Sequence, residues 1–375
     1  MDEFDQTTGQ LTSHDGTPCF EPEGYPVSTI ESEELSGLID ETSTALRELS
    51  DTMSKFKNPP QRVFKMREAI ASCALEGNEI TIYDFILNER SSGEKAYRHN
   101  IGIHRAMGYT AAVDRGIAQM FEVGIGQLDM EYLNEIHDTL TVREEVETEL
   151  RDSCIYFGSD ATHPDYIPSN PDYLEETSKR IINTLNLSGY GKLPSIAIAH
   201  YYVNAICPYR GENRRLSCAL TNIQLTGYDL IDYPILDIST YFNDHKEEYE
   251  EKLLAVSKKG EWNEWVEFMF EGIIAQAKTV TRNLESLEEL IGKIKTLYEG
   301  SPIEQDIAFS TFGTIFADKE YFKENTDYTD EEIESAIEQL ESDNVFKKIT
   351  QDPACYVVPE IEQLVVEGSV RGPIQ

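Results

Sequence analysis

Apolar residues recur at helical spacing along most of this 375-residue chain. The pattern begins at Ser28, after which Leu35, Leu38, Ile39 and Leu46 are related by intervals of three, four and seven residues. Spacing of this kind places one apolar face along each helix, so that several helices can pack around a shared core. The pattern therefore predicts a mainly α-helical protein, and a hydrophobic content of 40% is sufficient for a folded core.

Turn residues divide this pattern into separate helices. Pro60 begins one helix and Gly77 ends it, while Thr81 is placed to cap the next. Residues 153–168 differ, because β-type alternation and turn residues there predict a short hairpin. Further helices are predicted at about 95–122, 128–141, 171–187, 194–206, 213–226, 238–258 and 262–298.

The length suits two or three domains of roughly 150 residues each. Residues 1–27 lack periodicity and are expected to form an N-terminal arm that lies on the surface. Residues 28–122 are interpreted as an N-terminal helical domain, residues 123–290 as a helical core and residues 291–375 as a C-terminal domain.

The C-terminal domain is predicted to contain three helices followed by two short strands, at residues 345–349 and 354–358. This order resembles a winged helix-turn-helix, whose recognition helix enters the major groove of DNA. Here that helix, residues 330–343, is rich in Asp and Glu and has no Lys or Arg, so DNA phosphates would repel it. We expect the domain to pack against the body of the protein or against a protein partner instead.

The overall charge disfavours several classes of partner. With 32 basic and 69 acidic residues, the net charge of −37 opposes binding to nucleic acid and to anionic membranes. The chain has no apolar run near the roughly 20 residues that span a bilayer, and its acidic N-terminus does not resemble a signal peptide. The six cysteines have no CxxC or CxxH spacing, which indicates reduced thiols in a cytoplasmic protein with no metal site.

One segment departs from the acidic background. Residues 207–215 contain Arg210, Arg214 and Arg215 with a single carboxylate, and they lead through a Pro and a Gly into a predicted helix. Backbone N–H groups at a helix start, together with nearby guanidinium groups, favour phosphate or sulfate binding. The alternative is that these arginines form ion pairs with the many surrounding Asp and Glu residues. Both interpretations remain open at the level of sequence.

Residues 200–225 also resemble the central helix–loop–helix of the Fic (filamentation-induced-by-cAMP) family. The family motif is His-x-Phe-x-Asp/Glu-Gly-Asn-Gly-Arg-x-x-Arg, and residues 207–218 align with it. The likeness covers roughly residues 28–290, including the family's flap hairpin at residues 149–158 and the helices that follow the motif at residues 228–268. Larger family members also carry a C-terminal winged helix. The resemblance therefore implies the helical Fic (Fido) fold, with a short flap and these flanking domains.

A second stretch, residues 67–78, resembles the inhibitory helix found in part of the family. The family pattern is Ser/Thr-x-x-x-Glu-Gly/Asn, and it is met here by Ser72, Glu76 and Gly77. In members with this helix, its Glu pairs with the last Arg of the motif and blocks productive ATP binding. The resemblance thus implies that Glu76 lies at the site, but Cys218 replaces its family partner, which leaves Arg214 or Arg215 as the replacement. The alternative is that Glu76 is an ordinary solvated residue at a helix end.

The activity implied by the resemblance is transfer of AMP from ATP to a Ser, Thr or Tyr hydroxyl of a target protein. In active members the motif His is the general base, and the acidic residue holds Mg²⁺. The Gly-Asn-Gly backbone forms an anion hole, and the arginines hold the phosphates. ATP with Mg²⁺ is therefore the ligand set that the resemblance implies.

This chain departs from the motif at most of its chemical positions. Cys207 replaces the base, and a thiol with its ordinary pKa of about 8.5 is a poor substitute for a near-neutral imidazole. Gly211 replaces the Mg²⁺ ligand and has no donor to offer. Glu212 and Arg214 replace the two glycines of the motif, and Asn213 and Arg215 are retained. Tyr209 replaces the Phe, and Cys218 replaces the last Arg.

Three functions are compatible with these residues. The first, which we favour, is a Fic protein that is inactive or strongly altered, with weak nucleotide or anion binding and an unidentified protein partner. The second is an active transferase with new chemistry, in which Cys207 is a thiolate nucleophile or Glu212 is a metal ligand. The third is a transcriptional regulator that acts through the C-terminal domain. Outside the motif, His200 is interpreted as a packing residue and His163 as an exposed residue of the hairpin.

Overall fold

The structure of the protein, a computed structural model, describes residues 8–23, 33–57, 60–90, 100–141, 149–158, 164–187, 189, 191–351 and 353–366. Helices dominate these ranges, as the apolar periodicity predicts. The helices are α1 Glu33–Met53, α2 Gln61–Leu75, α3 Ile82–Arg90, α4 Ile101–Val123, α5 Met130–Thr141, α6 Leu174–Thr177, α7 Lys179–Leu185, α8 Lys192–Ile206, α9 Asn213–Gly227, α10 Ile238–Asp244, α11 Lys246–Lys259, α12 Trp262–Leu297, α13 Pro302–Ser310, α14 Lys319–Asn325, α15 Asp330–Ser342 and α16 Pro359–Val366. The strands are β1 Gly9–His14, β2 Thr17–Pro22, β3 Phe316–Asp318, β4 Lys347–Gln351 and β5 Ala354–Val357.

Helices α8 and α9 pack against each other at the centre of the molecule. Nearly every residue of α8 is buried, as expected for a helix that is apolar on most of its faces. Helix α9 also packs against α4 and α2, so the core joins the predicted N-terminal and central regions. The loop between α8 and α9, residues 207–212, is therefore held within the body of the protein. No helix in the described ranges combines the length and the apolar character that a bilayer crossing requires.

Two segments predicted as continuous helices are interrupted. Residues 171–187 form a short 3₁₀ turn followed by α6 and α7. Residues 238–258 divide at His245 into α10 and α11. The second break has a packing reason, because α10 lies against α2 whereas α11 lies against α8. Apolar periodicity alone does not show such a change of partner.

The N-terminal segment differs from the expected surface arm. Strands β1 and β2 pair in antiparallel fashion, and Cys19 and Phe20 of β2 are fully buried. The backbone N–H of Phe20 donates to the carbonyl of Ile167 at 3.0 Å, which attaches β2 to the chain beside the flap. The surface location is therefore wrong for β2, because its apolar side chains fill space next to α8. Residues 1–7 and 24–27 of the expected arm lie outside the described residues.

The flap hairpin predicted at residues 153–168 is confirmed at its base. Phe157 and Tyr166 form an antiparallel bridge, in which the Phe157 N–H donates to the Tyr166 carbonyl at 2.9 Å. Residues 159–163, including His163, lie outside the described residues.

The C-terminal region contains the predicted helices and strands together with one strand, β3, and one helix, α16, that the sequence analysis missed. Strand β3 has only three residues, too few for an alternating pattern, and it pairs with β5 to give the sheet order β3–β5–β4. The apolar face of α15 is buried. Helix α16 lies against α2 and α12, and the Arg67 guanidinium of α2 donates to the Leu364 carbonyl at 3.1 Å. The order of elements fits the winged-helix interpretation, which stays a prediction.

Candidate functional site

A cleft of about 730 Å³ opens beside the loop that joins α8 to α9. Part of its wall is formed by the flap, through Ile155 and Phe157, and part by Leu253 and Leu254 of α11. The loop and the first residues of α9 contribute charged and polar groups to the lining. A partly apolar concave space with a few convergent polar groups is typical of a small-molecule site.

Both ends of the loop have left-handed backbone conformations. Cys207 follows α8 with a φ of 48°, and Glu212 precedes α9 with a φ of 63°. This conformation costs a non-glycine residue about 1 kcal/mol, so surrounding contacts must hold it. The Asn213 amide supplies one such contact, because it accepts a hydrogen bond from the Tyr209 N–H at 3.1 Å and donates one to the Tyr209 carbonyl at 2.9 Å. The retained Asn therefore stabilises the loop itself.

The middle of the loop is anchored by α5, which the sequence analysis did not connect with the site. The Tyr209 ring stacks on His137 with centroids 3.9 Å apart, and its hydroxyl donates to Asn134 at 2.7 Å. Burial lowers the pKa of His137 to about 4, so its ring is neutral at physiological pH. Its Nε2 lies 3.2 Å from the Gly211 carbonyl and can donate to it.

Cys207, at the position of the family base, is buried, and its thiol donates to the Asn204 carbonyl at 3.0 Å. Burial raises the pKa of this thiol to about 12, although the charges of Arg151 and Arg214 oppose the shift. Desolvation therefore outweighs the effects that favour a thiolate. At neutral pH Cys207 is a protonated thiol, which is poorly suited to act as a general base or as a nucleophile.

Arg151, which the sequence analysis did not single out, holds the end of α8. The last carbonyls of a helix have no partner within the helix, and a buried cation can satisfy them. The Arg151 side chain is 2% exposed and donates to four backbone carbonyls. The acceptors are Cys207 at 2.7 Å, Ser153 at 2.9 Å, Ile206 at 3.2 Å, and Ser169.

Each arginine of the motif segment contacts a carboxylate. Arg210 is exposed and lies 2.8 Å from Asp152. Arg214 lies 3.1 Å from Glu250 of α11. The third, Arg215, is fully buried and belongs to a larger cluster of charged side chains. The structure shows the ion pairs of one interpretation, and anion binding by this segment stays a prediction.

That cluster consists of Glu76, Arg105, Glu212 and Arg215, and we call it the carboxylate cluster. The Glu212 carboxylate lies 2.8 Å from the Arg105 guanidinium and also accepts a hydrogen bond from Arg215 Nε. Arg215 Nε is 3.6 Å from Glu76 Oε2, and Arg215 Nη1 donates to the Arg105 carbonyl at 2.8 Å. Carboxyl groups of this chain therefore already contact the buried guanidinium of Arg215, the arginine that the motif retains.

The two carboxyl groups of the carboxylate cluster titrate differently. Burial raises the pKa of Glu76 to about 8, and its hydrogen bond with Glu212 and the charge of Glu212 add to the shift. Burial also acts to raise the pKa of Glu212, but the hydrogen bond from Glu76 and the charges of Arg215 and Arg105 outweigh it and lower that pKa. At neutral pH, Glu76 is therefore the protonated partner and Glu212 the carboxylate.

Of the three residues assigned to the inhibitory helix, Glu76 reaches the site. Gly77 follows it with a φ of 80°, the left-handed helix end that the sequence predicts. Ser72 is fully buried, and its hydroxyl donates to a carbonyl of its own helix at 2.8 Å. The family partner of Glu76 is the last Arg of the motif, which is replaced here by the buried Cys218. Arg215 takes that place, with its Nε 3.6 Å from Glu76 Oε2.

The residues at the family's metal position do not fit a magnesium ion. Gly211 has no side-chain donor, although a Cβ there would meet no atom within 4 Å. The neighbouring Glu212 is engaged by Arg105 and Arg215. Among the residues that the structure describes, no group of three or more His, Cys, Asp or Glu side chains could hold a metal ion.

His200 of α8 is buried in the core. Its Nε2 is 2.8 Å from the Tyr249 hydroxyl and its Nδ1 is 3.2 Å from the Thr221 hydroxyl. Burial lowers the pKa of His200 to about 3, so the ring is neutral. These contacts favour the packing role expected for it.

No protein-family model matches the sequence, but solved structures resemble the fold. A Fic family protein from Desulfovibrio desulfuricans G20 matches with a TM-score of 0.55 and 16% identity, over 87% of this chain and 96% of that one. A fragment of Fic-1 from C. elegans matches with a TM-score of 0.50 and 18% identity, over 70% of this chain and 77% of that one. At these identities the likeness concerns the fold, and the chain has the Fic fold that the resemblance implies.

Proposed function

We propose that this chain is a Fic-family protein that does not transfer AMP and that binds a nucleotide or another anion only weakly in its cleft. The observation that carries the proposal is the position of the Glu212 carboxylate between Arg105 and Arg215. A phosphate that approached the buried guanidinium would have to displace this carboxylate. The chain thus supplies its own anion where a ligand's phosphate is expected.

The loss of the general base supports the same proposal. A target hydroxyl must give up its proton to attack a phosphate, and the acceptor should have a pKa near the working pH. Cys207 occupies the family's base position as a buried thiol whose pKa is raised to about 12. It already donates its proton to the Asn204 carbonyl, which leaves it badly placed to accept another.

The metal position supports the proposal independently. Magnesium would neutralise the phosphates of ATP and orient them, and it takes oxygen ligands. Gly211 offers none, and the Glu212 carboxylate is held by two guanidinium groups. We therefore expect ATP affinity to depend little on magnesium.

The transfer activity can be tested with ATP labelled on the α-phosphate, since AMP transfer leaves that label on the target. Wild-type protein, incubated with this ATP, Mg²⁺ and cell lysate, should label no protein. Cys207→His should also give none, because Gly211 still provides no metal ligand. Robust labelling by the wild type that is lost in Cys207→Ala would overturn the proposal in favour of an active, altered transferase.

Residual binding can be measured by titrating ATP into the protein in a calorimeter, with and without Mg²⁺. The wild-type Kd should be about 10⁻⁴ to 10⁻³ M. Glu212→Gln removes the competing charge and should lower Kd by about tenfold, which corresponds to about 1.4 kcal/mol. Glu331→Gln makes the same change in net charge on the exposed face of α15 and should leave Kd unchanged.

A different result in this titration favours the second candidate function. If Glu212→Gln weakens ATP binding only when Mg²⁺ is present, then Glu212 is a metal ligand and the protein is a transferase with rearranged chemistry. If Arg215→Ala leaves ATP binding unchanged, the ligand does not use the carboxylate cluster at all. The weak site would then lie elsewhere in the cleft.

A further inference from the structure

Two cysteines from distant parts of the chain meet beside the flap. Cys19 lies in β2 and Cys154 lies in the segment that leads to the flap, 135 residues later. Their Sγ atoms are 3.6 Å apart, and both are free thiols. This contact brings the N-terminal hairpin against a segment that lines the cleft through Ile155 and Phe157.

The two thiols differ in their surroundings. Cys154 is partly exposed to solvent, whereas Cys19 is fully buried. Burial and the hydrogen bond with Cys154 raise the pKa of the Cys19 thiol to about 12, so it keeps its proton. The buried guanidinium of Arg151 interacts electrostatically with both sulfurs. A solvent-accessible thiol next to a cation and a second thiol is the arrangement typical of cysteines that oxidise selectively.

We propose that Cys19 and Cys154 form a reversible disulfide when the protein is exposed to a peroxide. The Cys154 thiolate attacks one oxygen of hydrogen peroxide, the O–O bond breaks, and hydroxide leaves as the sulfenic acid forms. The hydroxide released beside it removes the Cys19 proton and becomes water. The Cys19 thiolate then attacks Cys154 Sγ, the S–O bond breaks, and the departing hydroxide takes up the proton that Cys154 gave to the solvent, forming the second water. Two thiols are oxidised and one peroxide is reduced to two waters. A dithiol reductant reverses the reaction.

The disulfide has a structural consequence for the cleft. It ties β2 covalently to residues 154–157, and the neighbouring Ser153 carbonyl is one of the acceptors of Arg151. Oxidation therefore restrains one wall of the cleft. It also restrains the segment around Ser153, which binds the Arg151 side chain that holds the loop between α8 and α9. A cross-link over so long a stretch of chain also restricts the unfolded state, so the oxidised protein should melt at a higher temperature.

The sulfur chemistry is tested on the purified full-length protein, reduced and then treated with a small excess of hydrogen peroxide. After the remaining thiols are alkylated, mass spectrometry of a digest should show the peptides of Cys19 and Cys154 joined. Dithiothreitol should separate them. The cross-link should be absent from Cys154→Ser and from Cys19→Ala. It should persist in Cys355→Ala, which removes a buried thiol of the C-terminal sheet.

Melting temperature gives a second measurement that does not rely on the digest. Peroxide should raise the melting temperature of the wild type and of Cys355→Ala by several degrees, and it should not raise that of Cys154→Ser. Recovery of Cys19 and Cys154 as separate alkylated or over-oxidised residues after peroxide treatment would overturn the proposal. Neither measurement uses a nucleotide, so the outcome is independent of the function proposed above.

Discussion

The two ends of the loop between α8 and α9 are held by different kinds of interaction. At Cys207, the cation of Arg151 binds neutral backbone carbonyls in the protein interior. At Glu212, carboxyl and guanidinium groups bind one another, and the side chain of Glu76 is 19% exposed. The first end depends on one buried side chain that stays charged. The second end depends on whether the Glu76 carboxyl group carries a proton, so its stability should respond to pH.

This difference indicates that the position of the loop and its charge are controlled separately. Hydrogen bonds from Arg151 to backbone carbonyls hold one end of the loop, whereas carboxyl and guanidinium groups set the charge at the other end. Substitutions at the two ends should then have independent effects on stability, apart from residues that share a partner.

Removal of Arg151 is expected to have the largest effect. Arg151→Ala leaves carbonyls at the end of α8 without a partner in the interior, and it should lower the free energy of unfolding by about 3–5 kcal/mol. Urea denaturation followed by circular dichroism measures this loss. Arg151→Lys keeps the charge but not the planar fork, so it should recover only part of the stability.

The same variant tests whether the two ends are independent. The pH dependence of unfolding that arises from Glu76 should be the same in Arg151→Ala as in the wild type, provided that the variant still folds. A change in that dependence would show that the ends are coupled. A loss of stability below about 1 kcal/mol would show that water or a neighbouring group replaces the guanidinium.

The next effect is a pH dependence at the Glu212 end. The pKa of Glu76 is about 8 in the folded protein and 4.5 in an unperturbed carboxyl group. Between these values the folded state holds a proton that the unfolded state has released, so stability falls as pH rises. The contribution is complete below about pH 4.5 and is lost as pH passes through 8.

Glu76→Gln is the matched variant for this effect. The amide can donate to the Glu212 carboxylate as a protonated carboxyl does, but it does not titrate. Its free energy of unfolding should therefore fall less steeply with pH than that of the wild type, when both are measured by urea denaturation between pH 5 and 8.5. Identical slopes for the two proteins would mean that Glu76 is ionised throughout this range.

The smallest effect is expected at Arg210, whose ion pair with Asp152 is exposed. Arg210→Ala should change the free energy of unfolding by less than about 0.5 kcal/mol, because water and salt screen such pairs. Urea denaturation should give a small difference at low salt and a smaller one at high salt. A loss as large as that of Arg151→Ala would place Arg210 among the groups that hold the loop.

Much of the fold could be predicted from local patterns. The bounds of α8 and α9, the helix end at Gly77 and the cap at Thr81 agree with the structure. Each depends on residues within one or two turns of each other. The break at His245 and the short strand β3 were missed, because both depend on the elements packed against them.

In the candidate site, too, the residues marked by a local pattern were predicted and those from distant segments were not. The loop and Glu76 were found because a contiguous motif and a helix end mark them. Arg105, His137 and Arg151 were missed, since they reach the loop from segments 56 to 110 residues away. No spacing in the sequence relates these segments to one another.

The sequence by itself determined a helical protein and, through its resemblance to the Fic motif, the loop between α8 and α9 as the candidate site. Helix periodicity and residue identity are sufficient for those conclusions, because they are local. Only the tertiary structure decided that Arg215 meets Glu212 and Glu76, and that the Cys207 thiol keeps its proton. Ion pairing and desolvation depend on which groups are close in space, and the packing of distant segments sets those distances.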